Sequence, residues 1–392
     1  MEAPKKAHDG LYGLFSKWPI ALDLAGSNLP CRLEGEIADL VVLGEIPKEI
    51  SGTFYRVMVD PFVPPDERNV PIDGDGNISA FRFHEGRVGM KMRYIETERY
   101  KLERKAGRAL FGLYRNPFTH HPCVRAAVDS TANTNSSLRI GPGHLGHRRP
   151  GSVAQYGWAN GEHRVYSWKN CMPIHTASAW EIDGRIYAES SRVHDNAFPF
   201  SPPEDGRMPS PKTKADFVRW EFDLSRPTGT IISDPVVILD LPSEFPRIDE
   251  RFLTTKHEWV FLNVFIPENS DGSKNIFQGL NGLAMHSNYT GETRYFYAGD
   301  KALCQEPIFV PRSEAEADGW VMMLIERKAE NRCDIAIIDT RNFEKPVAIV
   351  QLPFHVKAQI HGNWVPGSVL NKKKKKALSG SMKGLMLAVK AH

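Results

Sequence analysis

The sequence predicts an all-β protein built from many short strands, with a propeller favoured over a sandwich or barrel. Apolar and polar residues alternate in short runs along most of the chain. Gly, Pro, Asp and Asn interrupt these runs at close intervals, as turns between strands require. Helical spacing is strong at one early place only, and 392 residues of short strands suit radial repetition. No exact repeat is present from which blades could be counted.

Residues 1–30 read as an irregular arm. Val41-Val42-Leu43 and the alternating run from Ile50 to Val57 read as strands. The Pro-rich passage from Asp60 to Pro71 is a loop, and Asp73-Gly74-Asp75-Gly76 a sharp turn. Strands follow over Ile78–Phe83 and Val88–Thr97, joined at Glu85-Gly86-Arg87. A helix is expected from Glu98 to Tyr114, with Leu102, Ala106, Ala109, Leu110 and Leu113 on one face and Pro117 beyond its end. Gly107 and Gly112 count against it.

Residues 136–163 break the pattern. The run Gly141-Pro142-Gly143-His144-Leu145-Gly146-His147-Arg148-Arg149-Pro150-Gly151 has little apolar content and no period. Strand grammar resumes at Arg164–Trp168, Ile174–Glu181 and Arg185–Ser190, with a tight turn at Asp183-Gly184. It continues through Phe217–Leu224, Val236–Leu239, His257–Ile266, Gly282–His286, Glu292–Ala298 and Pro307–Pro311. Trp320–Glu326, Cys333–Asp339 and Pro346–Leu352 complete the clear strands. Five consecutive lysines at 372–376 read as a solvated, flexible stretch, and Gly384–Val389 as a last strand.

Lys and Arg number 50 against 47 Asp and Glu, which gives no reason to expect a nucleic-acid partner. Five scattered cysteines make neither a disulfide framework nor a CxxC zinc pair. The polar start from Met1 to Gly10 is unlike a signal peptide, and no apolar run reaches transmembrane length. A cytoplasmic protein is therefore expected, and its oligomeric state is left open.

Fourteen histidines contain no HExxH and no HxH pair. A lone histidine is more often a surface or hydrogen-bonding residue than a ligand. His175 and His361 stand out by their settings. His175 ends an apolar run and is followed by Ala177, Ser178 and Ala179, which leave room around it. His361 precedes Gly362, where backbone can approach closely. A propeller brings such distant, single residues to one axis, and neutral imidazole suits iron, zinc or copper. Glu244, in Glu244-Phe245-Pro246, and Glu306, in Gln305-Glu306-Pro307, precede or adjoin prolines and can accept the distal N–H of a ligand imidazole, or serve as surface carboxylates.

Several segments in order resemble the carotenoid cleavage oxygenases, most closely the fungal and bacterial lignostilbene and resveratrol dioxygenases. They are the run from Pro71 to Gly86, Tyr94–Tyr100, Tyr114–Phe118, Thr131–Asn135, Ile174–Glu181 and Glu244-Phe245-Pro246-Arg247. Gln305–Arg312, Asp318-Gly319-Trp320 and His361-Gly362-Asn363-Trp364 complete the set. The resemblance implies one domain over 1–392, a seven-bladed β-propeller with a few helices capping one face. It implies a non-haem Fe(II) on four histidines, with His175 and His361 as the third and fourth. Glu244 and Glu306 would hold ligand imidazoles, and Tyr114 would hydrogen-bond the phenol of a stilbene. The implied reactants are O2 and a small aromatic or isoprenoid alkene, and a stilbene would yield two aromatic aldehydes. Carotenoid cleavage is one alternative; another is an inactive, metal-poor propeller, either a binding protein or a truncated gene product. The family pattern stops at Ser136 and resumes near Arg164, and the first two ligand histidines fall in the missing part. The propeller would then be incomplete, with His144 and His147 the nearest substitutes in the chain.

Overall fold

The computed structural model describes residues 29–64, 73–113, 116–127, 152–157, 163–169, 171–194, 214–266, 280–299 and 301–370. The Lys-rich stretch, Gly384–Val389, His144, His147 and Tyr114 lie outside these residues. The chain divides into two compact units. One comprises Met1–Asn135 with Gln359–His392, the other Ser136–Ala358.

The first unit holds β1 (Gly35–Ile37), β2 (Val41–Gly44), β3 (Gly52–Val59), β4 (Gly76–His84), β5 (Arg87–Tyr94), helix α1 (Glu98–Ala106) and, far along the chain, β21 (Gln359–Pro366). Five of these strands form an antiparallel sheet in the order β1-β5-β4-β3-β21. The β4–β5 hairpin forms as its sequence predicts. Glu85 and Gly86 both take positive φ, 48° and 73°, which matches the right-handed twist of the strands they join.

Helix α1 is shorter than its apolar spacing predicts. Thr97 caps the start by accepting the Tyr100 N–H, and left-handed Gly107 at φ 66° closes the end. Beyond it, Leu110 and Phe111 give their N–H groups to the buried Glu103 carboxylate at 2.7 and 2.9 Å. A side-chain acceptor thus replaces the helical ladder where the sequence still carries helical spacing.

Buried charge organises this unit. Asp60 accepts the N–H groups of Cys31 and Arg32 and the Tyr94 hydroxyl, tying the segment before β1 to the sheet. Arg99 pairs with Asp73 at 2.9 Å. Asp75 is less well served. One of its oxygens accepts the Phe62 N–H at 3.0 Å, and the other is buried without a hydrogen-bond partner. Burial pushes its carboxyl up to about 6, against the Phe62 N–H and the Arg99 charge, with Glu103 and Asp73 adding to the rise.

A raised carboxyl pKa means that the folded chain holds this proton more tightly than the unfolded one. The contribution to stability is fully present below about pH 4 and is lost as pH rises through about 6. Asp75→Asn is therefore expected to exceed the parent at pH 7.5 by about 2 kcal/mol, with the gap closing towards pH 4. Urea melts at the two pH values check this, and a pH-independent gap would contradict it.

The second unit begins with a hairpin of β6 (Ser152–Gly157) and β7 (His163–Ser167). A strand at β6 was not expected within the aperiodic stretch 136–163. Next come β8 (Met172–Ile182), β9 (Arg185–Val193), β10 (Ala215–Asp223) and β11 (Val236–Leu239), in one sheet of order β11-β10-β9-β8. The strands β12 (Ser243–Arg247), β13 (Trp259–Val264), β14 (Gly282–Ser287) and β15 (Thr293–Tyr297) form another in sequence order. In the last, β16 (Ala302–Cys304), β18 (Gly319–Arg327), β19 (Arg332–Asp339) and β20 (Pro346–Gln351) follow one another, and β17 (Ile308–Pro311) also pairs with β18.

Alternation along these strands feeds separate cores. Phe261 of β13 joins Leu283, Met285, Val321, Met323 and Ile338 in one cluster. Its neighbours Val260, Leu262 and Val264 point the other way, into a cluster with Ala177, Phe217 and Ala284. The β12–β15 sheet is thus covered by apolar side chains on both faces, and β14 is buried at every position.

The seven-bladed propeller expected above is not what the described residues form. They make several separate antiparallel sheets with few helices, and no sheet closes into a barrel or propeller. The physical reason is strand supply. The described residues supply twenty-one strands, whereas seven four-stranded blades need about 28, and the text between Asn135 and Arg164 contributes little that reads as strand.

Candidate functional site

His175 and Glu244 come together in the second unit, each placed by an irregular strand. On β8, Pro173 lies opposite Arg192 and Thr176 opposite Ser190, so the register shifts across His175, and it shifts again before Ser178. Such a bulge re-aims a side chain that strict alternation would send elsewhere. Ala177 and Ser178 are buried beyond it. On β12, Glu244 lies opposite Asn263 and Arg247 opposite Phe261, so the chain bulges over Phe245 and Pro246. Proline lacks an N–H and suits a position where the ladder is already broken.

The imidazole meets the carboxylate directly. His175 Nδ1–H donates to Glu244 Oε2 at 2.8 Å, since a carboxylate can only accept. The two side chains are 28% and 11% exposed, so the bond is shielded on most sides. Burial pulls the His175 pKa down, but the Glu244 hydrogen bond and charge, with Glu306, outweigh it and hold the imidazole above its ordinary value against Arg247.

Glu306 is buried between β16 and β17. Arg247 Nη1 donates to its Oε1 at 3.1 Å and also pairs with Glu250. Arg247 therefore links the segment that carries Glu244 to the one that carries Glu306. Its place in the cluster was not singled out from the sequence.

His361 belongs to the first unit. It is half-buried on β21, opposite Val57, just after a register shift at Gln359. The close approach expected at Gly362 is real: an added Cβ would stand 2.6 Å from Arg56 Cδ and 2.7 Å from the Tyr55 carbonyl oxygen.

A second buried imidazole–carboxylate pair was not foreseen. Glu189 accepts His257 Nε2–H at 2.9 Å and two Arg219 N–H groups at 2.9 and 2.6 Å. The only signal in the sequence was a charged residue inside the run Tyr187-Ala188-Glu189-Ser190. His194 is also engaged, through Nε2 to Asp216 at 3.0 Å.

The donor chemistry at His175 fits a metal. With Nδ1–H given to Glu244, Nε2 carries the lone pair, and the carboxylate makes it a better donor. The unpaired, buried Glu244 Oε1 adds negative charge beside it. Among the described residues, no group of three or more His, Cys, Asp or Glu side chains is placed to hold a metal ion. Among them, too, no helix is long and apolar enough to cross a membrane.

Comparison with known proteins adds an independent line. The family model described as retinal pigment epithelial membrane protein, RPE65, matches residues 28–148 and 142–366, and the break falls in the Gly/Pro-rich run. Resveratrol cleavage oxygenase 1 of Botryotinia fuckeliana is 52% identical, over 90% of this chain and 87% of that protein. That alignment spans 484 positions, more than the 392 residues of the whole chain, so dozens of positions in that protein have no counterpart here. Carotenoid cleavage oxygenase 1 of Neurospora crassa is 28% identical over 88% of this chain and 90% of that protein. The crystal structure of Pseudomonas brassicacearum lignostilbene dioxygenase superposes with a TM-score of 0.79 at 27% identity, covering 90% of this chain and 100% of that one.

Proposed function

This chain belongs to the carotenoid-cleavage-oxygenase (RPE65) family, and on that premise we propose that it cleaves the central carbon–carbon double bond of a phenolic stilbene. Oxidative cleavage is the chemistry shared by the relatives' names, and the stilbene is taken from the relatives named for resveratrol and lignostilbene. The observation that carries the reading is the His175–Glu244 pair. It is an imidazole prepared for coordination, in a segment singled out from sequence alone.

His175 would be a ligand of a ferrous ion, and O2 and the alkene are the reactants. Bound iron supplies the one-electron chemistry that O2 needs to react with a closed-shell alkene. The chain's own residues do the rest. Glu244 holds the His175 Nδ1 proton and fixes the tautomer. Glu306, anchored by Arg247, keeps further negative charge near a cationic centre. Tyr114, outside the described residues, would orient the substrate phenol by a hydrogen bond. Sharing or loss of the phenol proton enriches the central double bond in electrons, and scission there gives two aromatic aldehydes.

The experiment is a product assay. The iron-loaded chain is given a 4-hydroxystilbene or an apocarotenal, in air and without O2. Two aromatic aldehydes from the stilbene, in air only, are expected. Cleavage of the apocarotenal alone would move the substrate to the carotenoid side, and no cleavage of either would defeat the proposal. Glu244→Gln keeps the shape but loses the charge, and is expected to weaken Fe(II) affinity by about 10- to 100-fold. Equilibrium competition with a chelator measures that change.

A further inference from the structure

One residue touches both halves of the His175–Glu244 pair. The Phe245 backbone N–H donates to Glu244 Oε2, the oxygen that also accepts His175 Nδ1–H. The Phe245 ring lies against the imidazole, with centroids 4.8 Å apart and planes inclined at 31°. Phe245 achieves this in a costly backbone. Its φ is 53°, in the left-handed region that bulky L residues avoid. Pro246 follows, and a proline biases the residue before it towards extended backbone.

A left-handed phenylalanine persists only where its surroundings over-determine it. Here the surroundings are the β12 bulge and the pair itself. Glu244 Oε1 is buried without a hydrogen-bond partner, so the carboxylate is aimed through the contacts of Oε2. Glycine would adopt the same φ without steric cost. What phenylalanine adds at this position is the ring.

We propose that Phe245 is the positioning residue of this site. Its left-handed backbone aims Glu244 at Nδ1, and its ring fixes the plane of the His175 imidazole, so that Nε2 is presented in one orientation. The proposal rests on the reading of His175 as a metal donor.

The test uses the full chain labelled with 15N-histidine, with the His175 signals assigned from His175→Gln. Phe245→Tyr keeps the ring. Phe245→Leu keeps bulk but lacks the aromatic face, and Phe245→Gly allows the backbone but lacks the ring. The first readout is the 15N shift pair of the His175 ring nitrogens without metal, which reports the tautomer. The parent and Phe245→Tyr are expected to show the Nδ1–H form, and the Leu and Gly variants an averaged mixture. The second readout is Fe(II) affinity, expected to fall about 10- to 100-fold in the Leu and Gly variants and to hold in Phe245→Tyr.

Parent nitrogen shifts retained in both ring-less variants would overturn the proposal, whatever happens to their thermal stability. A merely structural role would move the melting temperature and leave the tautomer alone. Failure of the underlying reading looks different. A parent chain with Nδ1–H shifts but no Fe(II) affinity removes the metal-donor role, while the shifts of the variants still decide the part played by Phe245.

Discussion

Replacing His175 by alanine is expected to remove iron binding and, with it, cleavage. The imidazole is the only described group whose second nitrogen is fixed by Glu244, so no neighbouring side chain inherits its place. Iron content after loading is expected to fall from about one per chain to background. The fold should survive. The variant loses the hydrogen bond to Glu244 and the ring contact with Phe245 at a partly exposed position and leaves Glu244 Oε2 with the Phe245 N–H, a cost of about 1–2 kcal/mol. Iron retained at full occupancy would sink the assignment, and urea melts would show whether lost iron merely reflects unfolding.

The largest effect on stability is expected at Glu189. Its side chain is fully buried and takes hydrogen bonds from His257, from Arg219 twice, and from Asn288 at 3.4 Å. Arg219 and His257 also pack on the Trp180 ring, at 5.4 and 5.1 Å, so the charges are framed by aromatic surface. Burial alone would raise the Glu189 pKa, but His257 and Arg219 outweigh it and hold the carboxyl below its ordinary value.

Glu189→Ala leaves the fully buried His257 imidazole and the partly exposed Arg219 guanidinium without their carboxylate and should cost about 3–5 kcal/mol. Glu189→Gln keeps part of the hydrogen bonding and should cost less. The sign of the pH dependence follows from the lowered pKa. The contribution is present above the unfolded value near 4.5 and is lost as pH falls through the lower folded value. Denaturation of the parent and both variants at pH 7 and below pH 4 measures each part. A Glu189→Ala chain within about 1 kcal/mol of the parent would contradict the account.

Individual strands were legible because their signals are local. Alternation placed β4, β9, β10, β18 and β19, and Asp183-Gly184 gave a hairpin turn with both residues at positive φ, 51° and 70°. Strands β12, β16 and β21 were harder to see. The first is five residues long and contains Pro246, the second has three residues, and the third carries His361-Gly362-Asn363 in place of a β-branched run. How the sheets close is not a local property. It depends on how many strands the chain supplies and how they meet, and the sheets of the described residues do not close into the implied propeller.

The site was legible in part, and mostly through resemblance. Pattern alone set His175 and His361 apart from the other histidines by their settings; the resemblance gave them their roles as ligands. The contact with Glu244 spans 69 positions of sequence, and two bulges make it, neither of which alternation can foretell. The left-handed Phe245 was invisible because phenylalanine is the wrong residue for that backbone. Glu189 and His257 were missed because a charge inside a strand reads as an outward position until its buried partners are known.

The most direct test of the central claim is the iron content of the purified chain after anaerobic Fe(II) loading, with O2 uptake on a 4-hydroxystilbene followed in the same sample. About one iron per chain, with uptake only when the stilbene is present, is the predicted result. Iron at background with no uptake would contradict it.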